Sequence, residues 1–440
     1  INDQLSTIND QLSTINYQRS TINYQLLSTM LKRLSVTISA TAALWLFGTS
    51  LTTAATKKPQ PPDEFPPSPL EVTTPDPLLP RNPDKDKQPL SATEQQRLEV
   101  ELDKLNQQAT AKLQAGDEVG AFDIWNRELR LRRYLGAVKE VQALGRVGAV
   151  AYQKSNRPEV QYITQRLKAI QKQVMSQKTN DLELLQALGL AYQQVRSPQN
   201  AVEVYEQVLG VVRQQQDTAK EVQILQTIGE VHLSWFDYSK AATTYQELLK
   251  LATAGGDSVN ELVYLQKLAY IYEQGKKPQQ AIEVHNRLTE IYQRQNNLTQ
   301  LPALKLAIAS DYESLAKENP NLLQEAFNNY QQAYTIAWQL QQYVRAAEAL
   351  QKLIALYRSQ GQIQEALQAS EILVQTQQLA SNFYGLMNAY DQIGKMHLER
   401  KEYPQALQAF QKGLEVAQQL KYEEDYFSGQ IQKLSGRITQ

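Results

Sequence analysis

LeuLeuGlnAlaLeuGlyLeuAlaTyr at 184–192, IleLeuGlnThrIleGlyGluValHis at 224–232 and TyrLeuGlnLysLeuAlaTyrIleTyr at 264–272 are one pattern written three times, every column displaced by 40 residues. A small residue recurs at Gly189, Gly229 and Ala269, and alanine follows twelve positions later at Ala201, Ala241 and Ala281. A ring stands four positions beyond the alanine, at Tyr205, Tyr245 and His285. Four residues is about one helical turn, so alanine and ring share a face and a large side chain packs beside a small one. Outward, the alanine phase runs through Ala121, breaks at Gln161, and after a five-residue insertion resumes at Ala326, Ala366 and Ala406, which makes eight units.

Self-similarity at this period describes helical hairpins that cannot bury their own apolar faces, so neighbours must stack. The helix boundaries keep the same phase. Pro158, Pro198 and Pro278 stand three residues before the alanine column, where a first-turn proline loses no useful amide donor. Asp217, Asp257, Asn297 and Asn382 share a second phase, where each would cap the first helix of its unit.

A small residue at position 8 of the unit, Tyr at 11, Ala at 20 and Tyr or Phe at 24 resemble a tetratricopeptide repeat. The clearest matches are Leu188, Gly189, Tyr192, Ala201 and Tyr205, and Gly394, Tyr403, Ala406 and Phe410. The unit is longer than the ~34 residues usual in that family and is similar to the longer-helix variety of kinesin light chains; HEAT and armadillo arrays share the length but not the motif. The resemblance covers residues 91–422. It implies an all-α fold, a right-handed α-solenoid of about eight helix-turn-helix units, closed by a C-terminal capping helix at 423–440. It also implies a protein-interaction scaffold whose first helices line a concave groove.

Ahead of the array the chain changes character three times. IleAsnAspGlnLeuSerThr opens a low-complexity heptad tract over 1–29 that resembles translated tandem DNA repeats common in cyanobacterial genomes, and it is expected to precede a true start at Met30. Residues 30–55 place Lys32 and Arg33 before an apolar run at 34–51 and small residues at Ala54 and Ala55, the order of a secretory signal. Export to a periplasm or thylakoid lumen is the expectation, with an uncleaved membrane anchor through 34–51 as its rival. Residues 56–90 form a proline-rich tract, with eleven prolines between 59 and 89, expected as a disordered linker.

Composition narrows the function. Lys plus Arg is 45 against 46 for Asp plus Glu, so no basic stripe is available for nucleic acid. The absence of cysteine excludes disulfides and thiol chemistry. His232, His285 and His397 fall on ring positions of the repeat, and no paired histidine or phosphate-cradling glycine loop is present, so no metal, cofactor or enzymatic activity is expected.

What remains is the groove. Positions 4, 7, 8 and 11 form the buried stripe, so positions 5, 9 and 12 lie about 100° round the helix. Position 5 holds Arg146, Gln186, Gln226, Gln266, Gln351 and Asp391, with Leu306 interrupting; positions 9 and 12 add Gln153, Gln193, Glu230, Tyr270, Glu273, Glu313 and Arg358. Glutamine offers donors and an acceptor, so such a row can pair with an extended backbone. The expected partner is a protein or extended peptide, with self-association as the alternative.

Overall fold

The computed structural model describes residues 67–72, 75–79, 88–177 and 181–438. The heptad tract at 1–29, the signal at 30–55 and residues 56–66 of the proline-rich tract lie outside the described residues. Among the described residues the regular structure is helical throughout, in seventeen α-helices. Sixteen of them pair into eight hairpins. In chain order these are α1 (Ala92–Gln114) with α2 (Glu118–Arg132), α3 (Ala137–Gln153) with α4 (Arg157–Gln177), α5 (Leu182–Gln194) with α6 (Pro198–Gln214), and α7 (Thr218–Ser234) with α8 (Tyr238–Gly255). Then follow α9 (Ser258–Gln274) with α10 (Pro278–Arg294), α11 (Leu301–Leu315) with α12 (Leu323–Gln339), α13 (Tyr343–Ser359) with α14 (Ile363–Leu379), and α15 (Phe383–Glu399) with α16 (Tyr403–Leu420). The last, α17 (Glu424–Ile438), sets Phe427 against Phe410 and buries Leu434 over the end of the array.

The alanine column holds the hairpins shut. Ala121, Ala201, Ala241, Ala281, Ala326, Ala366 and Ala406 are each 0% exposed. On the opposing helix the small residue has no room to grow: a Cβ on Gly189 would lie 2.5 Å from the Tyr205 ring, and one on Gly394 would lie 2.8 Å from that of Phe410. The five-residue insertion is absorbed in the sixth hairpin's turn, which carries the 3-10 segment Pro320–Leu322.

Helix starts follow the phase read from the sequence, with one difference. Asp217, Asp257 and Asn382 each accept a backbone N–H from the third residue on and cap α7, α9 and α15. Asn297 instead precedes a 3-10 turn, Leu298–Gln300, and makes no such bond, because α11 begins only at Leu301. Pro198 and Pro278 open α6 and α10. The turns repeat as well: Gln216, Gly256, Asn296, Gln341, Ser381 and Lys421 all have positive φ, and each is followed by an N–H reaching back to close the preceding helix, as Asp217 does to Val212.

Part of the tract expected as a disordered linker is packed. Leu70 is 1% exposed. Arg127 makes a two-pronged ion pair with Asp76, at 2.7 and 2.8 Å, while Arg130 and Arg133 donate to the carbonyls of Pro69 and Leu70. The Arg127 hydrogen bond holds the Asp76 carboxyl below the usual carboxylate range. The physical reason is local: Leu70 and Leu78 supply apolar anchors, and α2 with the 3-10 turn Arg133–Leu135 that follows it supplies the cations.

The packing makes a contrast that can be measured. Gly189→Ala should destabilise the protein by about 1–3 kcal/mol, because the ring of Tyr205 must give way. Gly210→Ala should stabilise it by about 0.5–1 kcal/mol, since a mid-helix Cβ there meets nothing within 4 Å. Urea unfolding followed by far-ultraviolet circular dichroism reads both.

Candidate functional site

Every residue of the expected groove stripe lies on a first helix of a hairpin: Arg146 and Gln153 on α3, Gln186 and Gln193 on α5, Gln226 and Glu230 on α7, Gln266, Tyr270 and Glu273 on α9, Glu313 on α11, Gln351 and Arg358 on α13, and Asp391 on α15. The structure places many of them at the hydroxyl ends of buried or half-buried tyrosines. Gln193 donates to the Tyr205 hydroxyl at 2.7 Å, Gln226 to that of Tyr264 at 2.9 Å and Gln266 to that of Tyr292 at 2.8 Å. Carboxylates of the stripe accept instead, Glu230 from Tyr245 at 2.6 Å and Asp391 from Tyr426 at 2.7 Å. A buried tyrosine needs a partner for its hydroxyl. The stripe therefore satisfies the core from outside while offering its remaining lone pairs and N–H groups to solvent.

The other stripe residues divide between ion pairs and open surface. Arg146 bridges Glu128 and Asn106, and Arg358 reaches Glu399. Lys267 donates to Glu230; burial opposes ionisation of that carboxyl, but the bonds from Tyr245 and Lys267 outweigh it and hold its pKa down. Gln153, Gln186 and Gln351 are exposed, and so is Tyr270, which lies beside Tyr238. Leu190, at position 9 of the third unit, is exposed on the same face as Tyr270. In the sequence Leu190 carries no signal of its own, because an apolar residue next to the buried stripe reads as core.

The second hairpin carries a feature the sequence reading saw only as an exception. In α6 the buried face is Ala201, Val204, Tyr205, Val208 and Val212; the equivalent residues of α4, Gln161, Thr164, Gln165, Lys168 and Lys172, are exposed or half-buried. The buried face of α4 is Glu159, Ile163, Leu167, Ile170 and Val174. A shift of two residues turns a helix by about 200°. With α4 rotated away, α3 packs directly on α5: a Cβ on Gly145 would lie 3.0 Å from the Cα of Ala191, and one on Gly148 would overlap the Val195 side chain. What α4 vacates is a cleft of about 880 Å³ bordered by α4, the end of α3 and the turns of the third and fourth hairpins. Tyr152, whose counterparts Tyr192 and Tyr272 are buried, is 50% exposed there, with the Arg196 guanidinium 5.5 Å from its ring centre.

The three histidines are tied into the fold. His232 is buried, which lowers its pKa. His397 pairs with Glu402 at 2.7 Å. His285 is enclosed between Glu273 of α9 at 3.2 Å and Asp311 of α11 at 3.7 Å. Burial pulls its pKa down, but the two carboxylates win and raise it to about 9. Among the described residues no three His, Cys, Asp or Glu side chains are grouped as a metal site, and no helix is long and apolar enough to cross a membrane.

The architecture is that of an α-solenoid of helical hairpins with a repeated first-helix face. Residues 184–219 match the tetratricopeptide repeat family model. No curated protein sequence matches the chain. Among solved structures, MamA is 23% identical and is matched over 46% of this chain and 95% of its own, with a TM-score of 0.33. A putative kinesin light chain from Podosopora anserina with nearly identical TPR-like repeats is 18% identical, covering 46% of this chain and 98% of its own at a TM-score of 0.32. The apo form of RapI is 11% identical over 77% of this chain and 98% of its own, at 0.33.

His285 gives the site a pH signature. Its folded pKa is above the unfolded value of about 6.5, so its stabilising contribution is complete below that pH and is lost as pH rises through about 9. The loss should be about 3 kcal/mol between pH 6 and pH 10. Thermal melting across that range should show a fall in Tm that His285→Phe makes shallower; parallel curves for the two proteins would mean the imidazole is not held between the carboxylates.

Proposed function

We propose that this chain is a non-catalytic scaffold that holds protein segments along the first-helix face of its solenoid. The observation that carries the reading is the position-9 column, where Leu190 and Tyr270 stand exposed on either side of the Glu230–Lys267 pair. A solvated helix face has no need of them, whereas apolar groups flanked by polar partners suit an extended peptide, with backbone pairing to the exposed amides of Gln186 and Gln351. At about 10 Å per helix contact, adjacent hairpins space such anchors at intervals a chain of a few residues can span. The regularity of the hairpins favours binding over chemistry, since acid–base catalysis needs a pocket that converges ionisable groups on one point. The proposal extends to an exported compartment, on the strength of the charged, apolar and small order at 32–55.

A crosslinked pull-down from native extract tests the reading, comparing residues 67–440 with the variant Gln186→Glu, Tyr270→Ala, Gln351→Glu. These side chains are exposed, so circular dichroism should show both proteins equally folded. A protein recovered by the parent and reduced at least tenfold with the variant is the expected result. Equal recovery by both would remove the first-helix face as the binding surface, and recovery of the chain alone would replace the scaffold by self-association.

A further inference from the structure

We infer that the cleft beside α4 is a docking site for an acidic segment of a partner protein that carries an apolar anchor side chain. The inference rests on the scaffold reading but places the contact at a different surface, the hairpin-turn edge of units two to four.

The cleft is written into the sequence. In the other seven units the residue at the alanine position is a fully buried alanine; in this one it is Gln161, exposed on the cleft wall. The ring position that holds Tyr205 in the next unit is here Gln165, also on the wall. The array is not damaged by the change. Gly145 and Gly148 let α3 close directly on α5, and α4 buries a second, complete apolar face through Ile163, Leu167, Ile170 and Val174. The unit thus has a well-packed alternative arrangement that leaves an opening, and the α4 side chains that face it, Gln161, Thr164, Gln165 and Lys168 among them, are mostly polar.

Charge selects the occupant. Arg157, Lys168 and Arg196 border the cleft and no carboxylate does, in a chain whose formal net charge is −1. Like charges gathered without counter-charges in an otherwise neutral protein make a local positive field that favours carboxylates, and arginine binds them through paired N–H groups. Tyr152 and Trp235 supply the second element: they are half-exposed on the same cleft, over a floor that includes Val160 and Val195. Aromatic rings and arginine at a concave, partly apolar surface are the residue types that carry binding energy in protein contacts. The volume, about 880 Å³, lies in the upper part of the ~300–1,000 Å³ range of ligand clefts and exceeds what a single anion fills. A short peptide stretch with acidic residues flanking one leucine or phenylalanine satisfies both the cations and the rings. Nucleic acid is the poorer fit, because the three cations form a pocket and not a track along which a backbone could run.

The test is a selection of random 12-residue peptides displayed on phage, run on residues 67–440 and on the variant Arg157→Glu, Lys168→Glu, Arg196→Glu. Peptides enriched by the parent should be rich in Asp and Glu around an apolar residue. A fluorescein-labelled copy of the most enriched peptide should bind the charge-reversed variant and Tyr152→Ala at least tenfold more weakly, and should weaken as salt is raised. It should bind Gln186→Glu, Gln351→Glu as it binds the parent. Equal binding to the charge-reversed variant, or enrichment without acidic residues, overturns the cleft assignment. If the peptide is lost instead from Gln186→Glu, Gln351→Glu, the scaffold reading stands and the cleft falls. No enrichment by the parent removes both. Displacement of the labelled peptide by an equal concentration of a 12-nucleotide single-stranded DNA would make the cleft a general polyanion site and overturn the protein-segment proposal.

Discussion

The contact between a ring on the second helix of a hairpin and a glycine or alanine on the first is the constraint on which this array depends. It fixes how closely the two helices approach, and it returns in phase along the array except in the second hairpin and in the seventh, where Ser370 stands at the ring position. It also has a consequence at the surface. The rings of Tyr205, Tyr245 and Tyr330 are buried but end in hydroxyls that need partners, and those partners sit on the first helix of the same hairpin, Gln193 and Glu313 at position 12 and Glu230 one turn earlier at position 9. Burial pushes all three phenol pKa values up, with Glu230 and Glu313 adding to the effect on their tyrosines, so each hydroxyl remains a donor or acceptor and not an anion. The polar composition of the first-helix stripe is therefore set in part by the core behind it. A surface built this way can bind a peptide only with what the tyrosines leave over, which is why the exposed Leu190, Tyr270, Gln186 and Gln351 carry the functional reading and the bonded amides do not.

The second hairpin shows what happens when the contact is withdrawn. Without an alanine at 161 and a ring at 165, α4 has no reason to present that face to α3, and the apolar residues two positions out of phase take over. The glycines of α3 then decide where the slack goes. Gly145 and Gly148 permit an approach to α5 that any larger residue would block, so the array remains continuous through the first helices while the second helix swings aside. In a solenoid each unit answers only to its neighbours, so such a departure stays local. That locality is what allows a cleft to exist in the middle of a structure that is otherwise stacked without gaps in its alanine column.

Much of this was legible in the sequence because it depends on residues close together in the chain. The eight hairpins, the capping aspartates and the first-turn prolines follow from side chains three or four positions apart, and local spacing reports those directly. The fate of the stripe glutamines was not legible: the partners of Gln266 and Gln226 lie 26 and 38 residues away, and only the stacking of whole hairpins brings them together. The turns were invisible for a different reason. Left-handed backbone is written plainly at Gly256 and Gly361, but Arg196, Phe236 and Lys276 adopt it too, because the surrounding helices over-determine the turn and override the residue's preference. The docking of Leu70 and Asp76 on α2 was hidden by a proline-rich composition that describes solubility, whereas two leucines and three arginines decide the contact.

Gln161 lies between these cases. Its exception to the alanine column could be seen, but an exception alone says only that a contact is missing, not what replaces it. The replacement depends on a competition between two faces of α4, and the sequence holds both: a polar one in phase with the repeat and an apolar one out of phase with it. Burial chooses the apolar face, since exposing Ile163, Leu167 and Ile170 would cost about 1.5–3 kcal/mol each. Once that choice is made, the repeat's own phase carries Gln161, Gln165 and Lys168 to the outside together, and Tyr152 is uncovered by the same rotation. Gln153, the next residue, belongs both to the first-helix stripe and to the cleft wall. The two surfaces therefore meet at the end of α3, and a segment lying along the stripe runs at that point toward the positively charged cleft.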